Sequence, residues 1–157
     1  VDVRVSLNGV DFSVETAGYK FDAPIQVESL TPSFGPILGG TIVRVLANNV
    51  RYTGAVGCRF GEVFVTATFL SNKVIECVSP PRGAVGSVQV DITLNGVDYD
   101  SIVVGSATFT YVPTPEVLSI APRTGWRDGG VELTVSARNL VASGLGSLKC
   151  NFGGRYG

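Results

Sequence analysis

The sequence predicts an all-β protein built from tandem two-sheet sandwiches. The first observation behind this is repetition. Leu7-Asn8-Gly9-Val10-Asp11 returns as Leu94-Asn95-Gly96-Val97-Asp98 at an offset of 87 residues. Pro32 with Gly39-Gly40 returns as Pro122 with Gly129-Gly130 at 90, and Cys58-Arg59-Phe60-Gly61 as Cys150-Asn151-Phe152-Gly153 at 92. A period of that length exceeds solenoid repeats and suits a small independently folding domain. The second observation is period-two alternation of apolar and polar residues, the pattern of a half-buried strand. The third is composition. The chain is 45% hydrophobic and 16% charged, with 20 glycines among 157 residues, a balance that favours strands and turns over helices.

The repeat divides the chain into the C-terminal part of one unit (1–23), a whole unit (24–112) and the N-terminal part of a third (113–157). The sequence therefore reads as a window on a longer array. A unit of about 90 residues buries a core, but its stability is modest without reinforcement.

In chain order, Asn8-Gly9 predicts a tight hairpin, because both residues tolerate the left-handed conformations of a type I′ turn. Tyr19–Phe21 is the expected return strand. Pro24 marks the first joint. Gln26–Leu30 opens the whole unit as a strand, and Gly39-Gly40 then supplies positive-φ freedom for a turn. Thr41-Ile42-Val43-Arg44-Val45-Leu46 alternates cleanly and reads as a strand. Cys58 lies on the next strand, and 62–70 is rich in β-branched and aromatic residues. Ser71-Asn72-Lys73 is a hairpin turn leading into 74–79. Val88–Leu94 alternates up to Asn95-Gly96, a second type I′ candidate, with Ala107–Val112 as the return. Pro113-Thr114-Pro115 forms the second joint, followed by strands at Val117–Ala121 and Val131–Ser136. Linkers this short and proline-rich restrict the angle between units and favour a rod. The count is about seven strands per unit and no substantial helix, hence a sandwich.

Charge and composition exclude several functions. With 12 basic and 13 acidic residues the net charge is −1, and no basic stripe exists for nucleic acid. The apolar runs are too short to span a bilayer, so no direct membrane insertion is expected. The chain has no histidine. Ser-His-Asp and Cys-His nucleophile systems are thereby excluded from this stretch, as are imidazole metal sites. No catalytic residue and no cofactor is expected. Asp91, Asp98 and Asp100 suggest a calcium cluster, but the EF-hand spacing is missing and a solvated strand end explains them better. No metal is expected. Gly35, Gly39 and Gly40 lack the Lys-Ser/Thr ending of a phosphate loop. There is no Asn-x-Ser/Thr sequon, while Thr114 between prolines leaves room for an O-linked glycan.

Three aromatic residues are interface candidates. Trp126, the single tryptophan, either anchors a neighbouring domain or chain or packs locally over the joint. Tyr99 and Phe12 occupy matching places after their Asn-Gly turns, and either cover the sandwich end or face a partner. Cys58 and Cys77 fall on different strands. As a disulfide they would close a loop of about 20 residues and contribute about 3 kcal/mol in the chain-entropy model. The alternative is a pair of reduced core cysteines. Cys150 is the counterpart of Cys58, and its own partner would fall beyond Gly157. A disulfide implies an oxidising compartment.

These residues together resemble the IPT/TIG domain of the immunoglobulin-like superfamily. The pattern starts with Pro32-x-x-Gly35-x-x-x-Gly39-Gly40. It continues through Thr41–Val45 and through Asn49-Val50, where the family commonly has Asn-Leu, as in Asn139-Leu140. Cys58–Gly61, Ile75–Pro81, Gly86–Val90 and Phe109–Tyr111 complete it. The resemblance implies immunoglobulin-like sandwiches, as in plexin ectodomains, large cell-surface arrays and some bacterial surface proteins. Close repetition and a cysteine pair fit those groups better than Rel-type transcription factors. The expected role is a non-catalytic structural or adhesive module of an extracellular array: a stalk, rod or filament subunit. Its expected partners are neighbouring IPT domains or other protein chains, self-assembly included. Alternatives are a plexin-like receptor spacer that contacts ligand, or an accessory domain of a secreted carbohydrate-active enzyme.

Overall fold

A computed structural model describes residues 1–21, 23–99, 102–140, 148–153 and 155–156. In chain order the strands are β1 (Asp2–Val3), β2 (Ala17–Gly18), β3 (Gln26–Thr31), β4 (Phe34–Pro36), β5 (Ile42–Asn48), β6 (Gly57–Phe60), β7 (Val63–Ser71), β8 (Val74–Val78), β9 (Gly86–Thr93), β10 (Ile102–Val103), β11 (Thr108–Val112), β12 (Glu116–Ala121), β13 (Thr134–Arg138), β14 (Asn151–Phe152) and β15 (Arg155–Tyr156). The described residues contain no helix.

Strands β3 to β11 make one immunoglobulin-like sandwich, and β7 is where it folds over. The first half of β7, Val63 to Thr66, pairs with β6, and the second half, from Ala67, pairs with β8. The ladder β10-β3-β5-β8-β7-β6-β9-β11-β4 therefore curls on itself. One sheet holds β10, β3, β5, β8 and β7. The other holds β7, β6, β9, β11 and β4.

Alternation places the core between these sheets. Strand β5 buries Val43, Val45 and Ala47 while Ile42, Arg44 and Leu46 face outward. Strand β8 adds Ile75 and Cys77, and the opposite sheet adds Cys58, Phe60, Val90, Ile92, Phe109 and Tyr111. Each buried Val, Ile or Phe contributes about 1.5–3 kcal/mol relative to exposure. Phe109 meets the rings of Phe60 and Tyr111 edge-on, at 5.4 and 5.1 Å between centroids. The Tyr111 hydroxyl donates to the Pro80 carbonyl at 2.9 Å. Burial raises the pKa of that hydroxyl, and the nearby Arg82 opposes the rise.

Most expected strands appear within a residue or two of their bounds. Four details differ. Nine strands rather than seven lie between residues 24 and 112, because the opening strand is divided. Pro32 has no N–H for the ladder, so β3 stops at Thr31. The chain resumes as β4 beside β11 in the other sheet. The short β10 adds a parallel rung to β3. Second, neither Asn-Gly makes a type I′ turn: Gly9 and Gly96 have positive φ (77° each), and Asn8 and Asn95 do not. Side-chain acceptors take over the backbone there. Thr93 Oγ1 accepts from Gly96 N at 2.9 Å, and Asn95 Oδ1 accepts from Val97 N and Asp98 N at 3.0 and 2.8 Å. Ser6 and Asn8 do the same around Gly9. Third, the return strand expected at Tyr19–Phe21 lies at Ala17–Gly18 (β2), against β1. Fourth, the strand expected at Val131–Ser136 begins only at Thr134 (β13).

Candidate interaction surfaces

The fixed framework comes first. Cys58 on β6 and Cys77 on β8 are bonded across the two sheets, with 6.3 Å between Cα atoms. Both sulfurs are fully buried, so the bond is a staple inside the core. Cys150 carries a free, exposed thiol.

Several local devices recur ninety residues apart. Gly39 and Gly40 have φ of 74° and 83°, and Gly129 and Gly130 have 82° each. A Cβ on Gly39 would lie 2.7 Å from the Ser79–Pro81 backbone, so this turn docks directly on the strand opposite. The peptide bonds before Pro32 and Pro122 are both cis. Strands β12 and β13 pair in the register of β3 and β5, with the irregularity at the equivalent place. Asn49 and Asn139 both adopt positive φ, 63° and 61°. Each side chain reaches back to a carbonyl at the preceding joint: Asn49 Nδ2 donates to Pro24 O at 2.9 Å, and Asn139 Nδ2 to Thr114 O at 3.0 Å. Asparagine is tolerated in the left-handed region because its short polar side chain bonds locally. The Asn-Val/Asn-Leu element thus clamps the incoming linker. Sequence reading picked out that motif without seeing this job.

The aromatic candidates separate. Tyr99 is half-buried, with the Arg59 guanidinium 4.0 Å from its ring centroid. Arg59 Nη2 in turn pairs with Asp91 Oδ2 at 2.8 Å, and Gln89 Nε2 donates to Asp91 Oδ1 at 3.1 Å. The Asp91 hydrogen bond raises the pKa of Arg59 above its ordinary value, against a smaller desolvation effect. Tyr99 therefore covers the outer face of the β6–β9 sheet. Phe12, its counterpart, is 57% exposed and sits at an isolated bridge to Ser6. Trp126 is 82% exposed, beside a shallow cleft lined by Pro122, Thr124, Gly125 and Val131. The structure does not bring these three side chains together. Arg59 and Gln89, which sequence reading did not single out, join Tyr99 only through the long-range register of β6 with β9.

Asp98 accepts a hydrogen bond from Asn95 Nδ2 at 2.7 Å, and Asp11 accepts the equivalent bond from Asn8. Asp91 is engaged by Arg59, and Asp100 lies outside the described residues. Among the described residues no group of three or more His, Cys, Asp or Glu converges as a metal site. Among the described residues no helix is long and apolar enough to cross a membrane.

The outer faces of the sandwich differ in chemistry. The β7–β6–β9–β11 face presents Phe64, Ser87, Gln89, Asp91, Thr108 and Thr110 around Arg59, with Tyr99 stacked over it. The β5–β8 face presents Ile42, Val78, Leu46 and Val74 with one ion pair, Arg44 Nε to Glu76 Oε1 at 2.8 Å. Among the described residues the ladder ends at the two-residue β10 and the three-residue β4, and each half of β7 is paired on one side alone. Each of these edges is only a few residues long, which leaves little backbone for another chain to pair with.

The curled sandwich, the intersheet cystine and the Tyr111 anchor define an immunoglobulin-like module. The IPT/TIG domain model matches residues 24–111, and the chain belongs to the IPT/TIG family. Among curated proteins it is similar to Plexin-A2 of Mus musculus, 30% identical over 138 residues, covering 87% of this chain and 7% of the relative. Plexin-A2 of Homo sapiens is 29% identical over the same length and shares. Among solved structures, the full extracellular region of plexin A4 (domains 1 to 10) aligns with a TM-score of 0.54 and 22% identity, covering 71% of this chain and 9% of that one. That likeness concerns the fold. The chain thus spans less than a tenth of the relatives it matches.

Proposed function

We propose that this chain is a non-catalytic structural and adhesive segment of an extracellular tandem IPT/TIG array, with boundaries at 1–23, 24–112 and 113–157. The observation that carries the reading is the clamp at Asn49 and Asn139. The same residue type, in the same unusual backbone conformation, grips the joint at ninety-residue spacing. A device that sets the direction of linker entry has a purpose only if something precedes each unit. Together with proline-stiffened joints it favours a rod in which successive units keep a restricted angle.

The cystine inside the core supports an oxidising compartment, and likeness to the extracellular region of plexins points the same way. The partners are neighbouring IPT domains and other protein chains, with Trp126 and Phe12 as the exposed aromatic contacts. An O-linked sugar at Thr114 is compatible with this setting. Electron microscopy of the intact parent protein tests the proposal. An elongated profile beaded at domain spacing supports it, and a compact particle dominated by a catalytic domain refutes it. The plexin likeness favours a second reading, a spacer in a receptor ectodomain. A membrane-spanning segment followed by a cytoplasmic signalling domain in the parent would select that version.

A further inference from the structure

The outer face of β5 and β8 is apolar around one ion pair, where the matching positions of β13 and the residues before it are polar. Ile42 and Val78 pair across the two strands, as do Arg44 with Glu76 and Leu46 with Val74. All six side chains alternate with core residues and point away from the core. Ile42 is 59% exposed and Val78 51%. The border holds Ser29 and Thr31 on β3 and Thr68 on β7, with Glu28, bonded to Asn48, beyond Ser29 and the exposed Leu70 beyond Thr68.

A comparison within the chain shows that this is no requirement of the fold. Ninety residues on, the positions of Ile42, Arg44 and Leu46 hold Glu132, Thr134 and Ser136. The opposite face of the same sandwich is mixed, with Phe64 and Tyr99 set among Ser, Thr, Gln and the Arg59–Asp91 pair. Paired apolar side chains exposed side by side on a sheet face mark a contact site.

The pattern on that face complements itself. A two-fold axis between β5 and β8, parallel to the strands and lying in the contact plane, sets β5 of one copy over β8 of the other. Ile42 then faces Val78, Leu46 faces Val74, and Arg44 faces Glu76 of the second copy. The two ion pairs close into a ring of four alternating charges. Isologous contacts require this kind of self-complementarity. We infer that the β5–β8 face is a homodimer contact, occupied by a second copy of this chain. Three rows on two strands cover less than the ~800 Å² per partner of a standard interface, so a single contact is weak. Linking such contacts along an array strengthens them by effective concentration. The pairing itself belongs to β5 and β8 and does not depend on the array reading.

The test is sedimentation velocity on the whole chain over about 1 μM to 1 mM. Cys150→Ser is included in every variant, to prevent cross-linking through the exposed thiol. The unsubstituted face should show a concentration-dependent dimer. Arg44→Glu sets Glu against Glu across the axis, and Glu76→Arg sets Arg against Arg. Each variant alone should weaken dimerisation by at least about tenfold. Mixed in equal amounts they should recover it, because each charge of one variant then faces its opposite on the other. A role confined to folding cannot give recovery on mixing, and thermal unfolding of each variant alone reports that role separately. A chain that stays monomeric to about 1 mM, single variants that dimerise normally, or a mixture that stays monomeric would each overturn the inference.

Discussion

Replacing Cys58 and Cys77 together by alanine removes the intersheet staple without leaving a thiol behind. The bond closes a loop with a sequence separation of 19. In the chain-entropy model, freeing a loop of that size costs about 3 kcal/mol of stability through the unfolded state. Two buried sulfur atoms are also lost, leaving small voids worth about 1 kcal/mol together. The expected total, about 4 kcal/mol, is a large share of the 5–15 kcal/mol typical of a domain. It corresponds to a fall in melting temperature of about 15–30 °C at this size. Urea unfolding followed by circular dichroism measures it, with a second signature in the slope. An uncrosslinked denatured chain exposes more surface, so m should rise as the midpoint falls. A double variant within about 1 kcal/mol of the parent, with unchanged m, would refute the reasoning.

Other consequences are smaller. Asn49→Ala loses the joint clamp and forces alanine into positive φ, costing about 2 kcal/mol, whereas Asn49→Gly keeps the backbone and costs about 1; equal losses by chemical denaturation would contradict the clamp. Gly39→Ala drives a Cβ into the Pro80–Pro81 backbone and should cost more than about 3 kcal/mol. Gly40→Ala meets nothing within 4 Å and should cost only the backbone strain of about 1; thermal melts separate the two. Tyr111→Phe removes the buried bond to Pro80 and should cost about 1–1.5 kcal/mol. The raised pKa of Tyr111 means that the folded state holds this proton more tightly than the unfolded one. Its contribution is full below the ordinary tyrosine pKa of about 10 and is lost as pH rises above it. Urea midpoints measured at increasing alkaline pH should fall less steeply for Tyr111→Phe than for the parent.

Much of the fold was legible because its causes are local. Alternation along 42–46 and 74–78, the glycine pairs, and the repeat that aligns Cys58 with Cys150 can each be read from a few residues. What was not legible depends on partners far away in sequence. That β7 serves both sheets follows from which strands its two halves meet, and nothing in Val63–Ser71 itself signals the change. The Asn-Gly turns depart from type I′ for a nearby reason: Thr93 and Asn95 side chains bind backbone N–H groups that a type I′ hairpin would leave to the strands. Tyr99 stood out as an aromatic residue, but Arg59 and Asp91 are 32 residues apart and meet only through strand register. The clamp at Asn49 was hidden because a conformation with positive φ is unusual for any residue but glycine.

Disulfide mapping of the parent protein recovered from the cell surface, alkylated before digestion, tests the central claim most directly. The account predicts a Cys58–Cys77 linked peptide, and Cys150 linked to a cysteine following Gly157 at the spacing of the first pair. Alkylated, unlinked Cys58 and Cys77, or Cys150 recovered as a free thiol, would contradict an array of stapled extracellular units.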